Sequence, residues 1–348
     1  MKFNRARNKT IGGIFIFIMM VAFVFGRPNF YLEGPGTAEP TSNFVKVDGK
    51  ADKKKGNLLL TTVAIRPATP FFLLKAMGDD FETITPKEEL MGNESNAEYN
   101  QIQQYYMQSA TNAAVAAAYS KAGKPYKSEY LGVYIMEVAE NSDFKNKLKI
   151  GDTVTEVNGY HFNSSEKFIN YVKKLDKNDK VTIKYTRDGK TKTAKGGLVK
   201  LEGTKRYGVG ITLTDNTKVT ATPPTKIDAG DIGGPSAGLM FTLQVYSQIA
   251  NVDLKDGRTI AGTGTIDSDG NVGPIGGIDK KVYAASHQGA TIFFAPDDPV
   301  TKDIKKYDPN YVNNYNLAKQ AAKKLNTKMK IVPVKTLDDA INYLNKTK

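Results

Sequence analysis

The sequence predicts an α+β chain: a domain of α/β layers interrupted by a β-rich inserted module and preceded by one amino-terminal transmembrane helix. Three observations predict it. A basic tip followed by an uninterrupted apolar run opens the chain, and short strands with turn signals cluster between residues 130 and 198. Beyond them, two glycine-rich loops run into apolar helices near residues 230–245 and 273–285. At 348 residues the chain is long enough for two or three domains with proper cores.

The tip carries Lys2, Arg5, Arg7 and Lys9 without an acid, and Ile11 to Phe25 is apolar or glycine throughout. That pattern orients the amino terminus to the cytoplasm and sends the remainder outside. The run is short, about 25 Å at roughly 1.5 Å per residue against a hydrocarbon core of about 30 Å. It therefore reads as a snug anchor or a cleaved signal. Val-Ala-Phe-Val-Phe-Gly offers bulky residues where a cleavage site wants small ones, so retention in residues 1–26 is expected. The chain has no cysteine, which excludes disulfides and a thiol nucleophile, and a formal net charge of +13. Its lysines are scattered. Such a basic exterior suits anionic lipid or wall polymer, and nucleic acid is not an expected partner.

After the anchor, Pro28, Gly34, Pro35, Gly36 and Pro40 make residues 27–42 read as a linker. Phe44 to Val47, a charged turn and Asn57 to Ile65 read as a hairpin. Short helices are expected at Thr69–Met77 and Thr85–Met91, and a long one at Ser95–Lys121, which opens with Ser95 and Glu98 as a capping box and stops at Gly123. Residues 130–198 give strands around Val133, Val154, Val181 and Lys192, with a helix from Ser164 to Leu175. Thr291–Ala295 and Met329–Val334 read as buried strands, with helices at Asn313–Leu325 and Leu337–Leu344.

The candidate chemistry lies in the two glycine-rich loops. Gly230 to Met240 places Ser236 where a loop becomes a helix, beside free backbone N–H groups that can hold an oxyanion. A helix cap is the plainer reading of a serine there, and a base must decide between them. Only His161 and His287 are available as imidazoles; His161 falls in a polar loop. In the second loop, Ile278, Lys281, Val282 and Ala285 share one helix face, while Lys280 falls with Ala284, His287 and Gln288 and is expected in solvent. A lysine held among apolar groups loses charge stabilisation and can act as a base, although lysines commonly snorkel to water.

Together the loops resemble the Ser-Lys dyad of Lon-type peptidases, whose Gly-Pro-Ser-Ala-Gly stands here at Gly234–Gly238 and whose Pro-Ile-Gly-Gly and lysine helix stand at Pro274–Lys281. The resemblance implies catalytic Ser236 and Lys281, with Thr263 in the family's Thr-Gly strand orienting the amine. Where many members carry Asp three residues before the serine, this chain has Gly233, so Gly233 and Gly234 are expected to offer backbone rather than an acid. No Gly-x-x-x-x-Gly-Lys-Ser/Thr loop is present, so activity is expected without ATP, and no metal or cofactor is implied.

Gly151-Asp152-Thr153-Val154 to Asn158-Gly159 is similar to the signature of PDZ domains. That resemblance implies a module at 128–200, inserted between catalytic segments at 43–127 and 201–348. Leu131, Gly132, Val133, Tyr134 and Ile135 are then the strand to which a peptide adds, unless the protein's own segments fill the groove. The whole resembles membrane-anchored PDZ-Lon serine proteases of Gram-positive bacteria. It implies an extracellular endopeptidase acting on secreted signalling peptides, unfolded protein or membrane proteins, either alone or as a homo-oligomeric ring. A catalytically silent PDZ adaptor and a basic wall- or lipid-binding protein are the alternatives.

Overall fold

The computed structural model describes residues 2–348, with residues 2–10 and 12 described by backbone alone. The basic side chains of the tip lie outside the described part. A helix runs over Lys2–Phe25, and from Ile14 to Phe25 its large apolar side chains are exposed. Among the described residues no helix is long and apolar enough to cross a membrane, so the expected transmembrane element is not found as such.

The main sheet has six strands in the order Lys330–Val334, Ile292–Pro296, Thr259–Gly262, Asn57–Pro67, Phe30–Pro40 and Thr83–Pro86. The first four are parallel and the last three antiparallel, so Asn57–Pro67 belongs to both halves. Two expectations fail here. Residues 30–40 form a strand rather than a linker, because pairing along Tyr31–Pro40 satisfies a backbone that Gly and Pro alone would leave irregular. Val45–Val47 does not make a hairpin with Asn57–Pro67 but pairs with Thr225–Ile227, a long-range choice that local turn chemistry does not encode.

Alternation along Leu58-Leu59-Leu60 sends neighbouring side chains to opposite faces of the sheet. Leu58 and Leu60 join Ile260, Phe294 and the helix Gly238–Ile249 on one face. Leu59 joins Ala261, Phe293 and the helix Ile278–His287 on the other. Two helices thus sit on opposite sides of one sheet, and both loops that introduce them reach the same sheet end.

A second, antiparallel sheet runs Ile211–Ala221, Tyr126–Val138, Thr153–Val157, Lys180–Arg187, Lys190–Gly197, over its own core of Val133, Ile135, Phe144, Phe168 and Ile183. The long helix Asn96–Lys121, opened by the expected Ser95–Glu98 capping box, links the two sheets. Its Ala114–Tyr119 end is buried in the main core, while Tyr105 stacks on Tyr134 at 3.7 Å and hydrogen-bonds the Asp215 carbonyl.

The loop after Val45–Val47 is tied to the end of the Gly238–Ile249 helix by a buried ion pair, Lys255 Nζ to Asp52 Oδ2 at 2.9 Å, supported by Gln244. Burial alone would raise the Asp52 pKa, but the Lys54 N–H, Lys255 and Gln244 together hold it below the usual carboxylate value. Removing one partner of such a pair leaves an uncompensated buried charge, at about 3 kcal/mol or more. Lys255→Met should therefore lower the chemical-denaturation midpoint at pH 7. Because the depressed Asp52 pKa stabilises the fold only while the group is ionised, the difference from wild type should shrink as pH falls below 4.

Candidate active site

Ser236 lies two residues before the Gly238–Ile249 helix. Its carbonyl is held twice, by the Thr263 hydroxyl at 3.0 Å and the Gly264 N–H at 2.9 Å. The Ser236 peptide is thereby pinned with its side chain toward the opposite wall. Among the described residues neither the Ser236 nor the Gly233 N–H donates a hydrogen bond, so both remain available to an oxyanion.

Lys281 comes from the other face of the sheet. Ile278, Val282 and Ala285 bury one side of its helix against Leu59, Ala261 and Phe293, and this carries Lys281 inward until it is 3% exposed. Its amine donates to Ser236 Oγ at 3.0 Å and to the Thr61 carbonyl at 2.8 Å. Thr61 stands one residue past Leu60, where pairing with Thr259–Gly262 ends. Burial lowers the Lys281 pKa from 10.5 to about 8. No charged partner accompanies that shift; desolvation alone drives it.

The loop before Lys281 is clamped by Asn314, which accepts from the Ile275 N–H at 2.7 Å and donates to the Ile275 carbonyl at 2.9 Å. The Gly233–Gly234 turn is held by the long helix, through Gly234 N–H to the Gln103 carbonyl at 2.8 Å. A Cβ at residue 233 would lie 2.7 Å from the Gln103 Cβ, which gives a steric reason for glycine there. The resulting cleft, about 890 Å³, is walled by Leu60 to Ile65, the 231–237 loop, Pro274–Gly276 and Tyr311. His161 is exposed beside Glu156, and His287 stacks on Tyr283; neither touches Ser236.

Three expectations change. Thr263 is beside the dyad, but its hydroxyl proton goes to the Ser236 carbonyl; the amine is oriented instead by the Thr61 carbonyl. Lys280 is not in solvent: it is buried and donates to Thr83 Oγ1 at 2.9 Å and Asp279 at 3.0 Å. Its helix face meets the Thr83–Pro86 region, which periodicity within one helix does not reveal. The strand containing Leu131, Gly132, Val133, Tyr134 and Ile135 is not an open edge. Ile211–Ala221 pairs along it from Val138 to Tyr126, antiparallel as an added peptide would lie, while Thr153–Val157 takes the other side. Asp215 also accepts from the Ser165 N–H at the start of the Ser165–Val172 helix, closing the groove. Thr61 and Gln103 act through backbone groups, and their side-chain identities carry no signal for that.

Comparisons with known proteins match two parts of the chain. Residues 107–196 match the model of the PDZ domain, and residues 204–344 match that of the Lon protease (S16) C-terminal proteolytic domain. The Lon protease of Rickettsia bellii is 31% identical over 110 residues, 32% of this chain and 12% of that protein. The Lon protease of Metamycoplasma arthritidis is 33% identical over 115 residues, 33% of this chain and 12% of that protein. The chain thus spans about an eighth of the length of these relatives. The PDZ domain of an SdrC-like protein from Listeria monocytogenes is 35% identical and covers 24% of this chain and 90% of its own, with a TM-score of 0.24.

Two outcomes follow from the geometry. If neutral Lys281 is the base, kcat/KM for a peptide should rise about tenfold per pH unit and level off near pH 8, since only the deprotonated amine accepts the serine proton. Thr263→Ser should keep most activity and Thr263→Val should lose it, with kcat falling more than KM rises, because the hydroxyl fixes the Ser236 peptide.

Proposed function

We infer, from a chain that joins a PDZ domain to a Lon-type proteolytic domain of the S16 serine peptidases, that it is an endopeptidase working through a Ser236–Lys281 dyad without ATP. The observation that carries this reading is the amine of Lys281, buried and 3.0 Å from the Ser236 hydroxyl in an open cleft. Ser236 Oγ attacks the scissile carbonyl as its proton passes to Lys281. The oxyanion lies against the N–H groups of Gly233 and Ser236. The Lys281 ammonium then protonates the leaving amine, and water, deprotonated by the same lysine, hydrolyses the acyl-enzyme. Thr61 and Thr263 position these groups and do not react.

Substrates are short or unfolded peptides, whose bonds can reach a dyad set in an open cleft of about 890 Å³. The chain sits at the outer face of the cell membrane, held by its amino-terminal helix. The basic tip and the exposed apolar residues from Ile14 to Phe25 support that placement. Secreted signalling peptides and membrane-protein segments are the substrate classes it suits. The PDZ module contributes substrate or partner contacts, its groove opening to them only where Ile211–Ala221 is displaced.

The test uses the full chain in detergent with a mixture of secreted peptides, followed by mass spectrometry of the products. Ser236→Ala should lose cleavage by on the order of 10³-fold or more, and Lys281→Ala likewise, while Lys280→Ala keeps it. Full activity of Ser236→Ala, or no cleavage by wild type, would point to the adaptor reading instead.

A further inference from the structure

The short helix Pro70–Ala76 is a surface element that neither core nor cleft explains. Thr69 caps it and Pro70 starts it, so its position is well defined by local chemistry. Phe72, Leu73 and buried Ala76 face inward onto Leu32, Ala68 and Ile84. The opposite side presents Phe71, Leu74 and Met77, which are 47%, 65% and 77% exposed. Three large apolar side chains so open to solvent on one turn-and-a-half of helix are not a random scatter.

This face is continuous with another. Phe71 meets Phe23 of the amino-terminal helix edge to face, ring centres 6.2 Å apart, so the exposed run from Ile14 to Phe25 and the Phe71–Leu74–Met77 face form one apolar surface. Lys75 is exposed between Leu74 and Met77, and the exposed acids Asp79 and Asp80 follow, Asp79 accepting from the Phe81 N–H and Asp80 paired with Lys324.

We propose that the Phe71–Leu74–Met77 face lies in the boundary of a lipid bilayer, as a second contact beside the amino-terminal helix. This rests on the membrane placement given above. It sets the cleft relative to the lipid. The strand Asn57–Pro67 leads from Thr61 at the dyad toward this helix, and the six steps from Thr61 to Pro67 span about 20 Å. The dyad then lies within about one strand length of the bilayer, and the chain acts on bonds in segments that emerge from or lie along the membrane.

The chain has no tryptophan, so single tryptophans report without background. Three variants of the full chain, Leu74→Trp, Phe17→Trp and Lys192→Trp, are reconstituted into vesicles of phosphatidylcholine and phosphatidylglycerol, with and without bromine on the acyl chains. The proposal expects Leu74→Trp emission to be quenched at least about twofold by brominated lipid and Lys192→Trp, on the far strand of the second sheet, to be unaffected. Unquenched Leu74→Trp overturns it, as does equal quenching of Lys192→Trp. A blue-shifted but unquenched Leu74→Trp would mean that a second copy covers the face, which also overturns it. Phe17→Trp reports separately on the amino-terminal helix: it alone unquenched would remove the anchor while leaving the second contact standing.

Discussion

The site depends on one amine being kept out of water. Lys281 is enclosed with a carbonyl and a hydroxyl as its partners and no counter-ion, and burial brings its pKa from 10.5 down to about 8. That difference corresponds to about 3 kcal/mol against folding at neutral pH. The sign follows from linkage: the unfolded chain binds the proton more tightly, so the full penalty acts below pH 8 and fades as pH rises toward 10.5. A fold that tolerates this must offset it with surrounding apolar burial, and the Leu59, Phe293, Ile278 and Val282 cluster beneath the lysine helix supplies it.

The sheet explains how the two reacting groups meet. Serine and lysine arrive from opposite faces, Ser236 just before and Lys281 within a helix, and the two helices are fixed by alternate leucines of the same strand. They converge where Thr259–Gly262 stops pairing and Thr61 is the next residue of the longer strand. A single carbonyl at a strand register boundary therefore aims the base. The long helix adds a second constraint, since within a few residues it holds the Gly233–Gly234 turn through Gln103 and stacks Tyr105 on Tyr134 of the other sheet.

Much of the site was legible because its signals are local. Gly-rich loops before apolar runs, and a lysine in step with Ile278, Val282 and Ala285, can be read along one segment. What could not be read were partners set by pairing between distant strands. The Thr61 carbonyl belongs to a backbone whose direction is decided by Phe30–Pro40 on one side and Thr259–Gly262 on the other. Residues 30–40 misled for the same reason, since five Gly and Pro residues between 28 and 40 suggest a linker until a neighbouring strand satisfies the chain. Lys280 looked solvated because its cover comes from Thr83, nearly 200 residues away.

The closed groove has a consequence for how the second module can be engaged. The strand Ile211–Ala221 is tethered at both ends, by Lys190–Gly197 upstream and Thr225–Ile227 downstream, and lies where an added peptide would lie. Tethers of this length give effective concentrations of about millimolar. A free peptide would therefore have to displace a tethered strand before adding to this side of Tyr126–Val138. The chain runs on from that strand through Thr225–Ile227, itself paired with Val45–Val47, into the 231–237 loop that carries the nucleophile.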